Sequence, residues 1–172
     1  MGRHGGGESE LHVLLMTRGM TLVDNLSIVG GAVRNDDTEL IGDDETWRYF
    51  KGTQAPPANW QTSTFDDSGW ESGRTGIGYG DGDDNTVLDD MRQNYLTVFC
   101  RKTFNVTNIE DINELILSIT VDDGFYAYIN GVQVASYNVN SPDWDASASG
   151  AGEPTLVAVS YTHLTLPTIC SV

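Results

Sequence analysis

Basic residues are scarce in this sequence. Its 172 residues include 9 Lys and Arg against 25 Asp and Glu, so the formal net charge is -16. An acidic surface repels phosphate backbones, and nucleic-acid binding is therefore disfavoured. Long apolar runs are also missing, whereas a membrane-spanning helix needs about 20 predominantly apolar residues. We expect neither a nucleic-acid partner nor membrane insertion, while the acidic balance suits divalent cations.

Charged residues are missing altogether from the segment 159–172. Its first part, VSYTHLTLPT, is similar to the translated end of a transposase-type sequencing adapter. The resemblance implies that residues 159–172 are an artefact with no role in the fold. The alternative is a genuine strand from Val159 to Leu166, which Pro167 would end.

Cysteine and histidine are rare as well. Without the segment 159–172, only Cys100, His4 and His12 remain. One thiol forms neither an intrachain disulfide nor, alone, a thiolate metal site. Cys100 lies in the alternating run LTVFCRKTF, so we expect a half-buried strand residue. Because both histidines lie in the first twelve residues, we assign no catalytic residue and do not expect an enzyme.

Short apolar stretches bounded by Gly, Asn and Asp recur along the chain. They are ELHVLLM, GMTLVDNLSIV, NYLTVFCRKTFNV, INELILSITV and GFYAYING. The first two indicate a hairpin or two neighbouring strands. Regularly spaced short strands with Gly-rich turns predict an all-β fold, either a β-sandwich or a jelly roll.

The run FYAYINGVQVA predicts a β-hairpin. Asn130 and Gly131 both tolerate the positive φ that a type I′ turn requires. Side chains alternate between the two faces of a strand. Phe125, Ala127 and Ile129 therefore alternate with Tyr126 and Tyr128, and we expect one of these sets to face the core and the other the surface.

Four motifs lie between Trp47 and about Leu156, namely FDDSGW, GYGDGD, an aromatic-RKTF strand and DDGFYAYING. Together they resemble the galactose-binding-like jelly-roll modules of bacterial secreted multidomain proteins. The resemblance implies a galactose-binding-like β-sandwich over residues 47–158, truncated at its C-terminus. Residues 1–32 are similar to the closing strands of an upstream sandwich, and residues 33–46 would be a linker.

The same resemblance implies an extracellular or cell-surface accessory module that binds carbohydrate without catalysis, beside other domains of a parent chain. The alternatives are a structural spacer without a ligand and, third, part of a hydrolase. Sugar binding needs an aromatic platform and polar groups for the hydroxyls. The candidate contacts are Trp60, Tyr79 and Trp144, whereas we expect Trp47 and Trp70 in the core.

The acidic stretch DGDDNTVLDD is the candidate metal site. Asp81, Asp83 and Asn85 alternate along it, which brings oxygen ligands to one side of a loop. Calcium takes six to eight such ligands and tolerates irregular loops. The spacing does not fit an EF-hand, because other residues stand at the positions of the turn Gly and the bidentate Glu. We expect a looser calcium site completed by Asp89, or else a solvated acidic loop.

Overall fold

The computed structural model describes residues 8–18, 24–32, 37–80, 82, 84–107, 112–150 and 155–161. The regular elements in these ranges are all β-strands. In chain order they are β1 (Glu8–Arg18), β2 (Asp24–Ala32), β3 (Asp37–Ile41), β4 (Thr46–Lys51), β5 (Glu71–Arg74), β6 (Ile77–Gly78), β7 (Thr86–Val87), β8 (Thr97–Thr107), β9 (Ile112–Val121), β10 (Gly124–Ile129), β11 (Val132–Tyr137) and β12 (Thr155–Tyr161).

Two antiparallel sheets pack together as a β-sandwich, which confirms the predicted all-β class. The larger sheet has six strands in the order β11-β10-β1-β8-β4-β5, and the smaller has four in the order β12-β9-β2-β3. β6 and β7 form a separate parallel pair. The core between the sheets includes Leu15, Trp47, Cys100, Leu117 and Phe125.

The strand β1 lies at the centre of the larger sheet. It pairs with β10 on one side and β8 on the other, with Leu15 opposite both Ala127 and Cys100. Leu11, Val13 and Leu15 point into the core between the sheets. Leu14 and Met16 point to the opposite face and are also buried. Burial on both faces explains why this strand reads as a nearly unbroken apolar run.

The strand pairing corrects the expected division of the chain. Residues 8–32 contribute β1 and β2, which pair with strands from beyond residue 96 rather than forming part of a separate sandwich. β3 lies within the expected linker 33–46, pairs with β2, and buries Ile41. β1 and β2 belong to different sheets, so they form neither the expected hairpin nor the alternative, two neighbouring strands. Local patterning shows that a segment is a strand, but pairing partners are set by contacts distant in sequence.

The strand β12 crosses the start of the segment expected to lie outside the fold. It pairs with β9, and its described residues extend to Val159, Ser160 and Tyr161. These three residues are therefore part of a strand, while residues 162–172 lie outside the described residues. The similarity to an adapter concerns the origin of the sequence and remains a prediction.

The predicted β10–β11 hairpin is confirmed. Asn130 and Gly131 have φ values of 48° and 81°, and they connect the opposed pair Ile129 and Val132. Both residues of a type I′ turn require positive φ, which Asn and Gly adopt readily. The hairpin is also joined to β1, because the Asn130 amide donates to the carbonyl of His12 at 2.9 Å.

Mainly aromatic side chains cover the outer face of the larger sheet. We call this group of side chains the outer cluster. Its buried members are Leu14, Met16, Trp60, Trp70, Phe99, Tyr126 and Tyr128, with Phe50, Phe65, Val139 and Trp144 packed against them. One of the two alternating sets of β10 was expected at the surface, but Phe125 is fully buried and Tyr126 and Tyr128 are only 7% and 6% exposed. The reason is that two segments, 52–70 and 138–150, lie over this face. We call them the first and second covering loops.

Two arginines on the sheet hold these loops. Arg18 is fully buried and donates to the carbonyls of Ser141, Asp143 and Ala146 in the second covering loop. Thr97, opposite Arg18, donates its hydroxyl to the Trp144 carbonyl at 2.7 Å. A guanidinium has five N–H donors in a planar fork, so a single side chain can satisfy several loop carbonyls.

Arg101 does the same for the first covering loop. Its Nε donates to Asp67 Oδ2 at 2.8 Å, and its terminal nitrogens donate to the carbonyls of Trp60 and Thr62. The guanidinium carbon also lies 5.1 Å from the centre of the Phe65 ring. The loop is therefore fixed by an ion pair, carbonyl contacts and a cation–π contact.

We predict that Arg18→Met lowers the free energy of unfolding by about 2 kcal/mol or more, because loop carbonyls lose a charged hydrogen-bond donor. Urea unfolding measures this, and amide hydrogen exchange should show faster opening of the second covering loop. Arg92→Met is the control, because Arg92 is exposed and surface changes usually stay within about 0.5 kcal/mol. Equal losses in both variants would contradict a clamp role for Arg18.

Gly124 begins β10 where the chain packs closely against the end of β11. A Cβ at this position would lie 2.7 Å from the Tyr137 carbonyl oxygen and 2.8 Å from that of Asn138. We predict that Gly124→Ala destabilises the protein by about 1–3 kcal/mol through overpacking. Gly69→Ala is the matched control, since its added methyl meets nothing within 4 Å. A thermal or urea melt that shows no difference between the two variants would contradict this prediction.

Candidate functional site

A polar cleft of about 340 Å³ opens beside the first covering loop. It is lined by Thr46, Trp47, Arg48, Asp67, Ser72, Arg101, Lys102 and Thr103. Strand register explains the grouping. Arg48 of β4 lies directly opposite Arg101 of β8 on one side and Ser72 of β5 on the other. Residues directly opposite each other in antiparallel strands have side chains close together on one face.

The positive charges in the cleft differ in how they are compensated. Arg101 is ion-paired with Asp67 and its side chain is only 2% exposed. The Lys102 ammonium contacts Glu45 at 2.9 Å. Arg48 is exposed, and its guanidinium donates a long hydrogen bond of 3.4 Å to the Trp70 carbonyl. Within the described ranges, no carboxylate forms an ion pair with Arg48. Its guanidinium therefore has N–H donors available to a ligand.

A chain of polar side chains extends the cleft wall onto β1. Thr103 lies opposite His12, and its hydroxyl is 3.1 Å from His12 Nδ1. His12 Nε2 is 3.2 Å from Glu10 Oε1. The His12 backbone amide donates to the Asn130 side chain, which fixes the strand beside the hairpin turn. The imidazole thereby positions a hydroxyl that lines the cleft.

Sequence reasoning missed the role of His12. His12 was excluded because both remaining histidines lie in the first twelve residues, before the segment 47–158 that resembles a sandwich module. Its position in ELHVLLM places it on the same face as Leu14 and Met16, which was the available signal. That signal predicts the face of the strand but not that Thr103 lies opposite.

Burial lowers the pKa of His12 below its ordinary value of 6.5, although the Glu10 carboxylate opposes this effect. Arg101 lowers the same pKa and Asp67 raises it, both by smaller amounts than burial. The neutral imidazole is therefore favoured in the folded protein. A depressed folded-state pKa stabilises the fold above the unfolded-state value, and this stability is lost as the pH falls through the folded-state pKa.

We predict that NMR titration places the His12 midpoint below 6.5. Stability measured by urea should decrease as the pH falls below 6.5, and His12→Gln should remove part of this decrease. The stabilities of the parent protein and His12→Gln are compared above about pH 5, because most carboxylates titrate below that pH. A His12 midpoint above 6.5 would contradict the prediction.

The structure separates the three aromatic residues predicted to contact a sugar. Trp60 is 6% exposed, meets Phe99 and Tyr128 edge-on at 5.0 and 5.8 Å, and stacks on Trp70 at 6.4 Å. Its ring belongs to the outer cluster and offers no open platform, which corrects that expectation. The covering loop that carries Trp60 buries the ring against the sheet.

Trp144 and Tyr79 are both half-buried, but they lie in different places. Trp144 packs against the outer cluster, whereas Tyr79 packs against the core between the sheets. None of the three predicted contacts is among the residues that line the cleft. The expected burial of Trp47 and Trp70 is confirmed, with 1% and 8% exposure.

The predicted calcium ligands are only partly described. Asp81 and Asp83 lie outside the described residues. The Asn85 amide nitrogen donates to the Thr75 carbonyl at 2.6 Å and to Asp44 at 3.2 Å, and Asp89 is exposed. Among the described residues, no group of three or more His, Cys, Asp or Glu is placed to hold a metal ion. The calcium site therefore remains a prediction.

Cys100 is more buried than its pattern predicts. Its exposure is 1%, and burial raises the pKa of its thiol to about 12. The thiolate is the reactive form of cysteine. A buried thiol that stays protonated near neutral pH is inert, so Cys100 contributes packing rather than chemistry to the core between the sheets.

Comparisons with known proteins give no assignment for this fold or cleft. No family model matches the chain, and searches of curated proteins and of solved structures found no significant match. Over the described ranges, the structure contains no helix of sufficient length and apolarity to cross a membrane. The functional argument therefore rests on the residues of the cleft.

Proposed function

We propose that this chain is a non-catalytic, galactose-binding-like carbohydrate-binding module of a secreted bacterial multidomain protein, and that the cleft binds the sugar. The observation that carries the proposal is the convergence of donors and acceptors around Arg48. The guanidinium donates, the Asp67 carboxylate accepts, and the hydroxyls of Ser72 and Thr103 can do either. A ligand rich in hydroxyl groups requires this mixture.

The size and rigidity of the cleft support the same proposal. Its volume of about 340 Å³ lies at the lower end of the range for small-molecule sites, roughly 300–1,000 Å³. Its walls are adjacent strands, and Arg101 is fixed by its contacts with Asp67 and Thr62. Side chains that are already ordered lose little entropy when a ligand binds. A short saccharide fits such a site better than a long polymer segment.

Recognition would depend on hydrogen bonds rather than on ring stacking. The Trp47 ring is buried in the core between the sheets, and the lining side chains are otherwise polar. The burial of Trp60 favours the alternative, a structural spacer that binds no ligand. A binding experiment separates these two functions.

We predict that a glycan array will reveal at least one bound saccharide and that Arg48→Ala will weaken its binding about tenfold or more, which is about 1.4 kcal/mol. Arg74→Ala is the matched control, because Arg74 is an exposed arginine paired with Asp44 and does not line the cleft. The affinity of Arg74→Ala for the saccharide should stay within about twofold of the affinity of the parent protein, because exposed ion pairs contribute little. Isothermal titration calorimetry measures both variants.

Two outcomes would contradict this proposal. Absence of binding across the array would support the spacer function. Equal weakening by Arg48→Ala and Arg74→Ala would show that the sugar binds outside the cleft. Thermal melts of all three proteins would exclude loss of folding as the cause.

One observation favours a second function, that of a hydrolase. Glu10, His12 and Thr103 form a carboxylate–imidazole–hydroxyl series beside the cleft. This order of groups is the one that activates a hydroxyl nucleophile in acyl transfer. Hydrolysis of a p-nitrophenyl ester that disappears in Thr103→Val would support it. Retained sugar binding without ester hydrolysis would support the binding module.

A further inference from the structure

We infer that the saccharide bound in the cleft is acidic, and that its carboxylate binds the Arg48 guanidinium. This inference rests on the proposed function and specifies its ligand as a uronic acid. The argument depends on charge compensation in the cleft, on the strand register around Arg48, and on the geometry of the guanidinium group.

Positive charge is concentrated at the cleft. Three of the nine Lys and Arg residues of this acidic chain line it, namely Arg48, Arg101 and Lys102, together with one acidic residue, Asp67. Asp67 compensates Arg101, and Glu45 compensates Lys102. In the part of the chain that the structure describes, Arg48 has no such carboxylate. One guanidinium charge is therefore left for a ligand.

The strand register places the Arg48 charge next to a second positive charge. Arg48 and Arg101 are directly opposite each other on neighbouring strands. Like charges in this position destabilise a sheet, and here the one carboxylate that lines the cleft, Asp67, is paired with Arg101. A ligand carboxylate at Arg48 would relieve that repulsion. Ser72, opposite Arg48 on the other side, supplies a hydroxyl next to the same place.

Guanidinium geometry favours a carboxylate as the anion. Its planar fork forms two parallel N–H···O bonds with the two oxygens of a carboxylate. The net charge of -16 repels anions at long range. At physiological ionic strength, however, charges beyond about 8 Å are largely screened, so the nearest groups decide. A compact acidic sugar meets Arg48, whereas an extended polyanion such as a nucleic acid would also meet the acidic surface.

The test compares each uronic acid with its uncharged form. The ligands are the methyl glycosides of glucuronate and galacturonate, their methyl esters, the methyl glycosides of glucose and galactose, and glucose 6-sulfate as a second type of anion. NMR chemical-shift titration measures the dissociation constants. We expect the parent protein to bind at least one uronate about tenfold more tightly than its ester, as a charge-assisted bidentate contact provides.

Variants at Arg48 identify the group that causes this preference. Arg48→Gln should reduce the ratio of acid to ester affinity to about one, whereas Arg74→Gln should leave the ratio unchanged. If Arg48→Gln binds neither form, Arg48→Lys should restore binding with a smaller preference for the acid, because it keeps the charge without the planar fork. Thermal melts establish that each variant is folded.

The outcomes distinguish this inference from the proposed function. Equal binding of acid and ester by the parent protein would overturn the acidic ligand while the sugar-binding function stands. Binding of none of these sugars, charged or neutral, together with a blank glycan array, would overturn both. Tighter binding of glucose 6-sulfate than of either uronate would overturn the carboxylate assignment. An acid preference that survives Arg48→Gln would place the anion elsewhere.

Discussion

Two buried guanidinium groups hold the covering loops against the larger sheet, and most of the structure outside the sandwich core depends on them. Arg18 fixes the second loop and Arg101 fixes the first. Burial of a charged group is costly unless every donor finds a partner. Loop carbonyls accept from the terminal nitrogens of both arginines and the Asp67 carboxylate accepts from Arg101 Nε, whereas Arg18 Nε has no hydrogen-bond partner among the described residues. The loops and the arginines therefore stabilise each other. The outer cluster of aromatic rings is enclosed as a consequence.

The cleft follows from the same constraint. Asp67 and Thr62 bind Arg101 and thereby fix the edge of the first covering loop beside β4. Arg48 projects next to this edge without a carboxylate of its own in the described ranges. A rigid wall and an uncompensated charge therefore occur side by side, which is how a preorganised polar site arises. Trp60 and Trp144, two of the three residues predicted to contact a sugar, instead pack in the outer cluster beneath the covering loops.

The sequence predicted the local features of this fold better than its long-range ones. The Asn130–Gly131 turn was predictable, because Asn and Gly at adjacent positions readily adopt the positive φ values that it requires. The burial of Tyr126 and Tyr128 was not, because alternation identifies the two faces of a strand but not what covers each face. The cleft was missed for a related reason. His12 and Thr103 are 91 positions apart, and only the β1–β8 pairing brings them together.

The central position of β1 links the fold to the site. This strand separates β8 from β10, and it contributes both Arg18 and His12. Without it, β8 and β10 would each expose an unpaired edge in the middle of a sheet, and such edges invite association with other chains. The second covering loop would lose Arg18, and Thr103 would lose the imidazole that positions its hydroxyl. Residues 47–158 alone therefore contain most of the motifs that suggested a sandwich, but the sheet and the cleft both require the strand that precedes them.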